Sequence, residues 1–384
     1  MGKTYLYIGA WNKPSEFGEC GITVAEFDPK KAKITPIATQ FPQISCGAMK
    51  VDPVKKILYA VDERREIEGK TFGGMLYAFA IRQETGLLMP LSAGPAFGIQ
   101  PSFIEYDGAY LLETNHATDQ YIIRTERDEE GKLHAVKIKD ESSVVLFARK
   151  ADGSVGEALD VLTFDQKEWD VPEVGSSSAR NSHIHAVVKL PGTDRYVVTD
   201  KGLDAVYTLA IDEGSKKLVW IGTWKSAAES SPRYLALHPT KPLLYLNYET
   251  RSTLSVLEYD LNGSLRERAT VPVSGLYSQE EKTAPSDIIV DPAGENLYLL
   301  LRGKQEVSWF ALDADGMPGW RANIAMNNTW GGRKMEFSPD GRFLLAAGFP
   351  DDEVTVFEIT KNGEMIYAGK RNCAHPGALA FFEA

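Results

Sequence analysis

The chain has 384 residues, a formal net charge of −11 at pH 7 and 25% charged residues. It contains no block of Lys and Arg interleaved with aromatic residues, and no apolar run near the roughly 18 residues of a spanning helix. We therefore expect neither a nucleic-acid partner nor a membrane partner. The three cysteines form no CxxC pair, so the sequence predicts neither a disulfide framework nor a Cys-rich zinc site.

The N-terminal segment predicts two strands, TYLYIGAW from Thr4 and GITVAEFD from Gly21. It has neither the basic region nor the apolar region of a secretory signal, so we expect a cytoplasmic protein.

One hairpin phrase then recurs along the chain. It has a small residue or proline, a polar residue, an apolar strand, a polar turn, and a second apolar strand that ends near a charged residue. The copies are CGAMKVDPVKKILYAVDE from Cys46, QPSFIEYDGAYLLETN from Gln100, HIHAVVKLPGTDRYVVTD from His183, SPRYLALHPTKPLLYLNYE from Ser231, APSDIIVDPAGENLYLLLR from Ala284, GGRKMEFSPDGRFLLAAG from Gly331 and HPGALAFF from His375.

Seven copies at a period of roughly 40–50 residues predict an all-β fold, a seven-bladed β-propeller that forms one domain over 1–384. The last copy has no second strand after it. We therefore expect Tyr5 to Gly9 to pair with Ala378 to Phe382 and close the ring.

The repeat is interrupted around residues 117–180. SVVLF from Ser143 and the hairpin ADGSVGEAL from Ala151 predict outer strands, whereas RTERDEEGK from Arg124 and VGSSSARNS from Val174 predict loops. Two interpretations remain open for this segment, a tolerated surface insertion and a wall over one mouth of the central channel.

Candidate site residues follow from the register of the hairpins. The first residue of one strand and the last of the next lie at the same end of an antiparallel pair. Arg233 and Glu249 are sixteen residues apart, as are Ser286 and Arg302, and Gly47 and Glu63. His185 opens its hairpin in the same register, and Asp200 closes it one residue early. The side chains predicted at one channel mouth are Glu63, His185, Asp200, Arg233, Glu249, Arg302 and Arg333.

A charged residue at a strand end is usually only solvated, and an isolated histidine is often structural. Three arginines and a histidine at one mouth instead predict an anion site, because guanidinium groups match carboxylates and phosphates. The acids could hold the arginines in place, or one could donate a proton. A metal bound by Glu63, Asp200, His185 and Glu249 is disfavoured, because the neighbouring arginines would oppose it. We expect no metal and no cofactor.

These stretches, with SHIHAVVKLPGTDRYVVTDKGLDAVYTL from Ser182 and LLLRGKQEVSWF from Leu299, resemble the seven-bladed lactonase family. That family includes bacterial 6-phosphogluconolactonases and the fungal 3-carboxy-cis,cis-muconate cyclase. The resemblance implies a site in the channel mouth, with His185, Arg233, Glu249 and Arg302 as its catalytic residues. Gly9-Ala10-Trp11 replaces the usual Gly-Thr-Tyr, and Asn115-His116 replaces an expected Asn-Tyr. The candidate substrate-binding residues are Arg333, Glu63 and Asp200 from the hairpin register, together with Asn115 and His116 from this comparison.

Lactone hydrolysis suits this set of residues. It needs a base for water, cations for the oxyanion and a proton for the leaving alkoxide. We assign His185 as the base, Arg233 and Arg302 as the clamps, and Glu249 as an orienting group or acid. The expected partner is a small anionic lactone or an unsaturated carboxylate. The alternatives are a cycloisomerase of the carboxymuconate type and a non-catalytic propeller scaffold. Neither a GxSxG elbow nor a Gly-rich phosphate loop is present.

Overall fold

The computed structural model describes residues 2–11, 21–64, 66–67, 71–164, 168–169, 181–326, 332–349 and 352–384. Seven four-stranded antiparallel sheets form the blades of the propeller. The innermost strand of each blade contacts the innermost strands of the two neighbouring blades, so the ring is closed around a channel. The seven-bladed architecture predicted from the repeat is confirmed.

The strands run from the channel outwards in each blade. Blade 1 contains β1 (Thr4–Ala10), β2 (Gly21–Asp28) and β3 (Lys33–Gln40), and blade 2 contains β4 (Met49–Asp52), β5 (Ile57–Asp62), β8 (Met75–Ile81) and β9 (Leu88–Pro95), with a small hairpin of β6 (Glu66–Ile67) and β7 (Thr71–Phe72) between them. Blade 3 contains β10 (Pro101–Asp107), β11 (Tyr110–Asn115), β14 (Ser143–Arg149) and β15 (Val155–Thr163), and an inserted sheet contains β12 (Tyr121–Arg127), β13 (Leu133–Lys139) and β16 (Glu168–Trp169).

Blades 4 to 7 have no such insertions among the described residues. Blade 4 contains β17 (Ile184–Lys189), β18 (Arg195–Asp200), β19 (Ala205–Asp212) and β20 (Lys217–Lys225), and blade 5 contains β21 (Pro232–Leu237), β22 (Leu243–Tyr248), β23 (Thr253–Tyr259) and β24 (Leu265–Pro272). Blade 6 contains β25 (Pro285–Val290), β26 (Asn296–Leu301), β27 (Glu306–Leu312) and β28 (Pro318–Ala325), and blade 7 contains β29 (Lys334–Phe337), β30 (Phe343–Gly348), β31 (Glu353–Ile359) and β32 (Met365–Asn372). The last strand is β33 (Pro376–Glu383).

The two ends of the chain close the ring in blade 1. β33 is the innermost strand of that blade and pairs with β1. Tyr5 lies opposite Phe382 and Gly9 opposite Ala378, which is the predicted register. Closure therefore depends on hydrogen bonds between strands that are far apart in sequence, and it removes two exposed sheet edges.

Second-strand tyrosines fasten neighbouring blades together. The Tyr59 hydroxyl donates to the Gly153 carbonyl at 2.6 Å, and the Tyr298 hydroxyl donates to the Gly363 carbonyl at 2.6 Å. Each acceptor is a glycine with positive φ in the outer turn of the next blade. A glycine adopts this conformation without a Cβ clash. A buried tyrosine thus fills the space between two sheets while its hydroxyl keeps a partner.

The interrupted segment contains both blade and insertion. SVVLF lies in β14 and the ADGSVGEAL hairpin joins β14 to β15, so these outer strands are confirmed. The loop prediction for RTERDEEGK is wrong, because its first four residues end β12 and only the rest forms the turn before β13. The stretch VGSSSARNS lies outside the described residues except for its last two positions. In the described ranges, no helix is long and apolar enough to cross a bilayer.

Candidate functional site

Bulges on the innermost strands direct side chains into one mouth of the channel. The pairing of β17 with β18 shifts between Ile184 and Ala186, and that of β21 with β22 shifts between Pro232 and Leu235. A bulge takes a residue out of the ladder and re-aims its side chain. His185 and Arg233 occupy these two bulges, which turns them towards the same end of the channel.

The residue after each second strand forms a ring around this mouth. In six blades, the backbone N–H of this residue donates to a carbonyl that lies shortly before the innermost strand of the same blade. In blade 1 the innermost strand is β33. The members, which we call the mouth ring, are Trp11, Glu63, His116, Lys201, Glu249, Arg302 and Phe349. The blade 4 member is therefore Lys201, and Asp200 is one position too early. The sixteen-residue spacing from His185 to Lys201 already indicates this in the sequence.

Glu249 is surrounded by three cations. Its carboxylate accepts a hydrogen bond from Arg302 Nη2 at 2.7 Å, forms an ion pair with Lys201, and lies 3.6 Å from Arg233 Nε. Burial opposes ionisation of this carboxyl, but Lys201 and the two arginines outweigh it and lower its pKa. Glu249 is thus a fixed anion that orients the cations, and it is a poor proton donor.

Glu63 lies in a different environment on the other side of the mouth. It accepts a hydrogen bond from Trp11 Nε1 at 2.5 Å and lies 3.3 Å from Arg333 Nη2. The Arg333 guanidinium stacks over the Trp11 ring at 3.7 Å. Burial raises the pKa of Glu63 despite the attraction of Arg333. A Cβ on Gly47 would come 1.4 Å from Glu63 Oε1, so the glycine makes the space that this carboxyl occupies.

His185 is a buried, neutral imidazole. Burial, reinforced by the charges of Arg233 and Lys201, holds its pKa well below the usual range. Its Nδ1 has no hydrogen-bond partner among the described residues. The Tyr234 ring lies 4.7 Å from the imidazole and 4.8 Å from the Arg233 guanidinium, and so forms a floor beneath both. Tyr234 follows Arg233 in the chain, and no sequence pattern singled it out.

His116 lies beside His185, with 5.6 Å between the ring centroids. Its Nδ1 lies 3.0 Å from the Ala117 carbonyl and its Nε2 lies 3.5 Å from Lys201 Nζ. These partners place the proton on Nδ1 and leave Nε2 as an acceptor for the ammonium group. Burial and the charge of Lys201 lower the pKa of His116 well below its usual range, so it too is neutral.

Two of the sequence candidates face the protein interior. The Asp200 carboxylate accepts hydrogen bonds from the Ser182 and Tyr207 hydroxyls and from several backbone N–H groups, including that of Gly202. The Asn115 amide group donates to Ala96, Glu113 and Ser143. Both side chains are fully buried. They support the turns behind the mouth, and the structure does not bring them to the cavity.

A cavity of about 530 Å³ opens outwards from the mouth ring. Its described lining residues are Asp119, Lys137, Lys139, Asn181, His183, Lys201, Gly202, Ser231, Glu249 and Thr250. The first three come from the segment that interrupts the repeat. A second cavity of about 160 Å³ lies deeper in the channel, beside Tyr234, Lys334 and Glu336. The inserted segment therefore forms part of the wall of the larger cavity.

The mouth combines four cations, two carboxylates and two neutral imidazoles. Arg233, Arg302, Arg333 and Lys201 outnumber Glu63 and Glu249, so a net positive charge remains at the mouth. Such a site can bind an anion and stabilise a developing oxyanion. A neutral imidazole beside it can accept a proton from water.

The chain is similar to known proteins over nearly its whole length. The model of the seven-bladed β-propeller lactonase family matches residues 5–381. A 6-phosphogluconolactonase of Bacillus subtilis is 22% identical over 366 residues, covering 94% of this chain and 93% of the relative. A 6-phosphogluconolactonase of Xenorhabdus nematophila is 28% identical over 138 residues, covering 35% of this chain and 40% of the relative.

Solved structures show the same fold. The periplasmic gluconolactonase of Pseudomonas aeruginosa has a TM-score of 0.81 at 22% identity, with 99% of each chain covered. A protein from Lactobacillus plantarum has a TM-score of 0.77 at 20% identity, with 100% of each chain covered.

Proposed function

Because the chain belongs to the seven-bladed β-propeller lactonase family, we propose that it hydrolyses a small anionic sugar-acid lactone at the mouth ring, as a 6-phosphogluconolactonase does. The observation that carries this proposal is that four cations lie at a single channel mouth and three of them, Arg233, Lys201 and Arg333, act on the neutral imidazole of His185. A scaffold has no need for such a cluster. Burying several positive charges away from water lowers the stability of the fold.

Each residue of the mouth has its own role in the proposed hydrolysis. His185 accepts a proton from water as the oxygen attacks the lactone carbonyl. Arg233 and Arg302 bind the carbonyl oxygen as it becomes an oxyanion, and Glu249 keeps both guanidinium groups in place. The acyl C–O bond of the ring then breaks. His185 returns the proton to the leaving alkoxide, so that water is added across one bond and the histidine is regenerated.

A second candidate, the cycloisomerase, is favoured by Glu63. Burial raises the pKa of this carboxyl, which favours its protonated form relative to an exposed glutamate. Addition of a substrate carboxylate across a conjugated double bond needs such a donor to the neighbouring carbon. The same arginines would bind the second carboxylate of an unsaturated diacid.

Titration of acid release separates these functions. Purified protein is added to δ-gluconolactone, to its 6-phosphate and to a muconolactone at constant pH, and the same solutions without protein provide the spontaneous rate. We expect one acid equivalent per lactone at a rate well above that control. Loss of the muconate absorbance from a carboxymuconate, without hydrolysis of the sugar lactones, would support the cycloisomerase. If neither reaction is observed, the non-catalytic scaffold is the remaining candidate function.

A further inference from the structure

The inserted sheet brings lysines to the cavity beside the mouth ring. Lys137 and Lys139 lie two residues apart on β13, so their side chains leave the same face of the strand. Both line the 530 Å³ cavity that also reaches Lys201 and Glu249. The insertion therefore faces the proposed reaction site from the outside of the ring.

The charges along this cavity are unequal. Three lysines line it, against the carboxylates of Asp119 and Glu249. Glu249 already pairs with Lys201 and Arg302, and Asp119 lies 3.1 Å from His183 Nε2. Both acids are thus engaged by other groups.

Lys137 is positioned by a neighbouring ring and forms no ion pair with the side chains that the structure describes. Its ammonium group lies 4.4 Å from the centroid of the Tyr121 ring, on the neighbouring strand β12. A cation–π contact restricts the side chain but leaves its full positive charge available to a ligand. Ser231 and Thr250 add hydroxyl groups to the same cavity.

We propose that the insertion forms a distal anion subsite, in which Lys137 binds a second negatively charged group of the substrate, a phosphate or a carboxylate. This inference rests on the proposed function, because the lactone carbonyl is taken to lie at Arg233 and Arg302. The cavity extends from Lys201 and Glu249 to Lys137, so the end of the substrate remote from the carbonyl meets the insertion. The inserted sheet, which lies outside the repeat, then selects an anionic substrate.

Binding of the open-chain acids tests the subsite without requiring turnover. Calorimetry measures the Kd of gluconate, 6-phosphogluconate and the dicarboxylate glucarate for the wild type, for Lys137→Met and for Lys132→Met. Lys132 is an exposed lysine of the same hairpin that lies outside the cavity lining, and it controls for the general loss of one charge. Thermal melts confirm that each variant folds, and Lys137→Arg tests whether a second cation restores binding.

We expect the wild type to bind 6-phosphogluconate more tightly than gluconate. Lys137→Met should lose about tenfold more affinity for 6-phosphogluconate than for gluconate, the usual worth of one charge-assisted contact. An equal loss for glucarate would show that the subsite accepts any anion, and a loss for the phosphate alone would show that it selects phosphate. Equal losses for gluconate and 6-phosphogluconate, or the same loss in Lys132→Met, would overturn the proposal.

The two proposals fail in different ways. If no lactone is hydrolysed but Lys137 still discriminates 6-phosphogluconate from gluconate, the proposed function is wrong and the subsite stands. If lactones are hydrolysed but the discrimination is absent from the wild type, the subsite is wrong and the hydrolysis stands.

Discussion

Replacement of Glu249 by glutamine tests whether this carboxylate holds the cations of the mouth together. The amide keeps the shape of the side chain but removes its charge. It leaves Lys201, Arg233 and Arg302 close to one another without the anion that separates them. We therefore expect the folded state to lose stability as well as activity.

The size of the loss follows from burial. Removing one partner of a buried ion pair costs about 3–5 kcal/mol, whereas a solvent-exposed pair contributes about 0–1 kcal/mol. Glu249 and its three partners are between 4% and 23% exposed, so they lie closer to the buried case but are partly screened. We expect Glu249→Gln to lower the free energy of unfolding by about 1–3 kcal/mol at pH 7.

The difference should depend on pH with a definite sign. The cations lower the pKa of Glu249 in the folded state below its ordinary value of 4.5. A carboxyl with a lowered pKa stabilises the fold above its unfolded-state pKa, and this contribution is lost as the pH falls towards the folded-state value. The difference between wild type and variant should thus be constant from pH 8 to about 5.5 and shrink below about 4.5.

Urea unfolding followed by circular dichroism measures the free energy of unfolding at each pH. Glu258→Gln is the matched control, because Glu258 also contacts two arginines, Arg266 and Arg268, but lies on an outer strand that is more exposed. Its effect should be much smaller than that of Glu249→Gln, because water screens an exposed ion pair. A Glu249→Gln protein as stable as the wild type at pH 7, or a difference that grows in acid, would refute this account of the mouth.

Further predictions concern catalysis. His185→Ala should lower turnover by about 10²–10⁴-fold, the usual contribution of a general base, in a protein that circular dichroism shows to be folded; near-normal turnover would move the role to His116. Because burial and nearby cations lower the pKa of His185, the acidic limb of kcat/KM should lie below pH 6.5; a limb at pH 7 or above would contradict this. Arg302→Lys should raise KM and lower kcat together, because an ammonium lacks the two-pronged contact of a guanidinium; steady-state kinetics with an unchanged KM would oppose it. Gly47→Ala should lower kcat/KM by displacing Glu63, whereas Gly222→Ala, where a Cβ meets nothing within 4 Å, should not.

The fold could be predicted from the sequence because the blades repeat. Each hairpin places its polar and apolar residues at the same positions, so seven weakly similar copies reinforce one another. The closing pair of Tyr5 with Phe382 followed from a missing strand rather than from any local propensity. The inserted sheet could not be predicted in this way. β12 is mostly exposed, and no repeat sets the register of the strands in this sheet.

The mouth was predicted less completely, for a reason visible at Asp200 and Lys201. An acidic residue ends β5 as Asp62 and β18 as Asp200, and each carboxylate accepts backbone N–H groups near the start of its own hairpin. The charged residue that reaches the mouth is the next one, Glu63 or Lys201. A strand-end acid thus looks like a site residue in the sequence while it stabilises a turn in the fold, and only the spacing from the first strand separates the two.

The two carboxylates of the mouth occupy equivalent positions in different blades, yet their environments separate their chemistry. Three cations around Glu249 lower its pKa, whereas burial raises the pKa of Glu63 despite the charge of Arg333 and the hydrogen bond from the Trp11 indole. Opposite shifts in one site are the usual means by which one acid stays charged and another keeps a proton. Glu249 is therefore committed to holding Arg233 and Arg302, and of these two carboxyls Glu63 is the better suited to donate a proton to carbon. Since hydrolysis through His185 needs no such donor, the loss caused by Glu63→Gln distinguishes the two reactions. Glu63→Gln should abolish a cyclisation, because the proton donor is lost. It should affect a hydrolysis only through the position of Arg333.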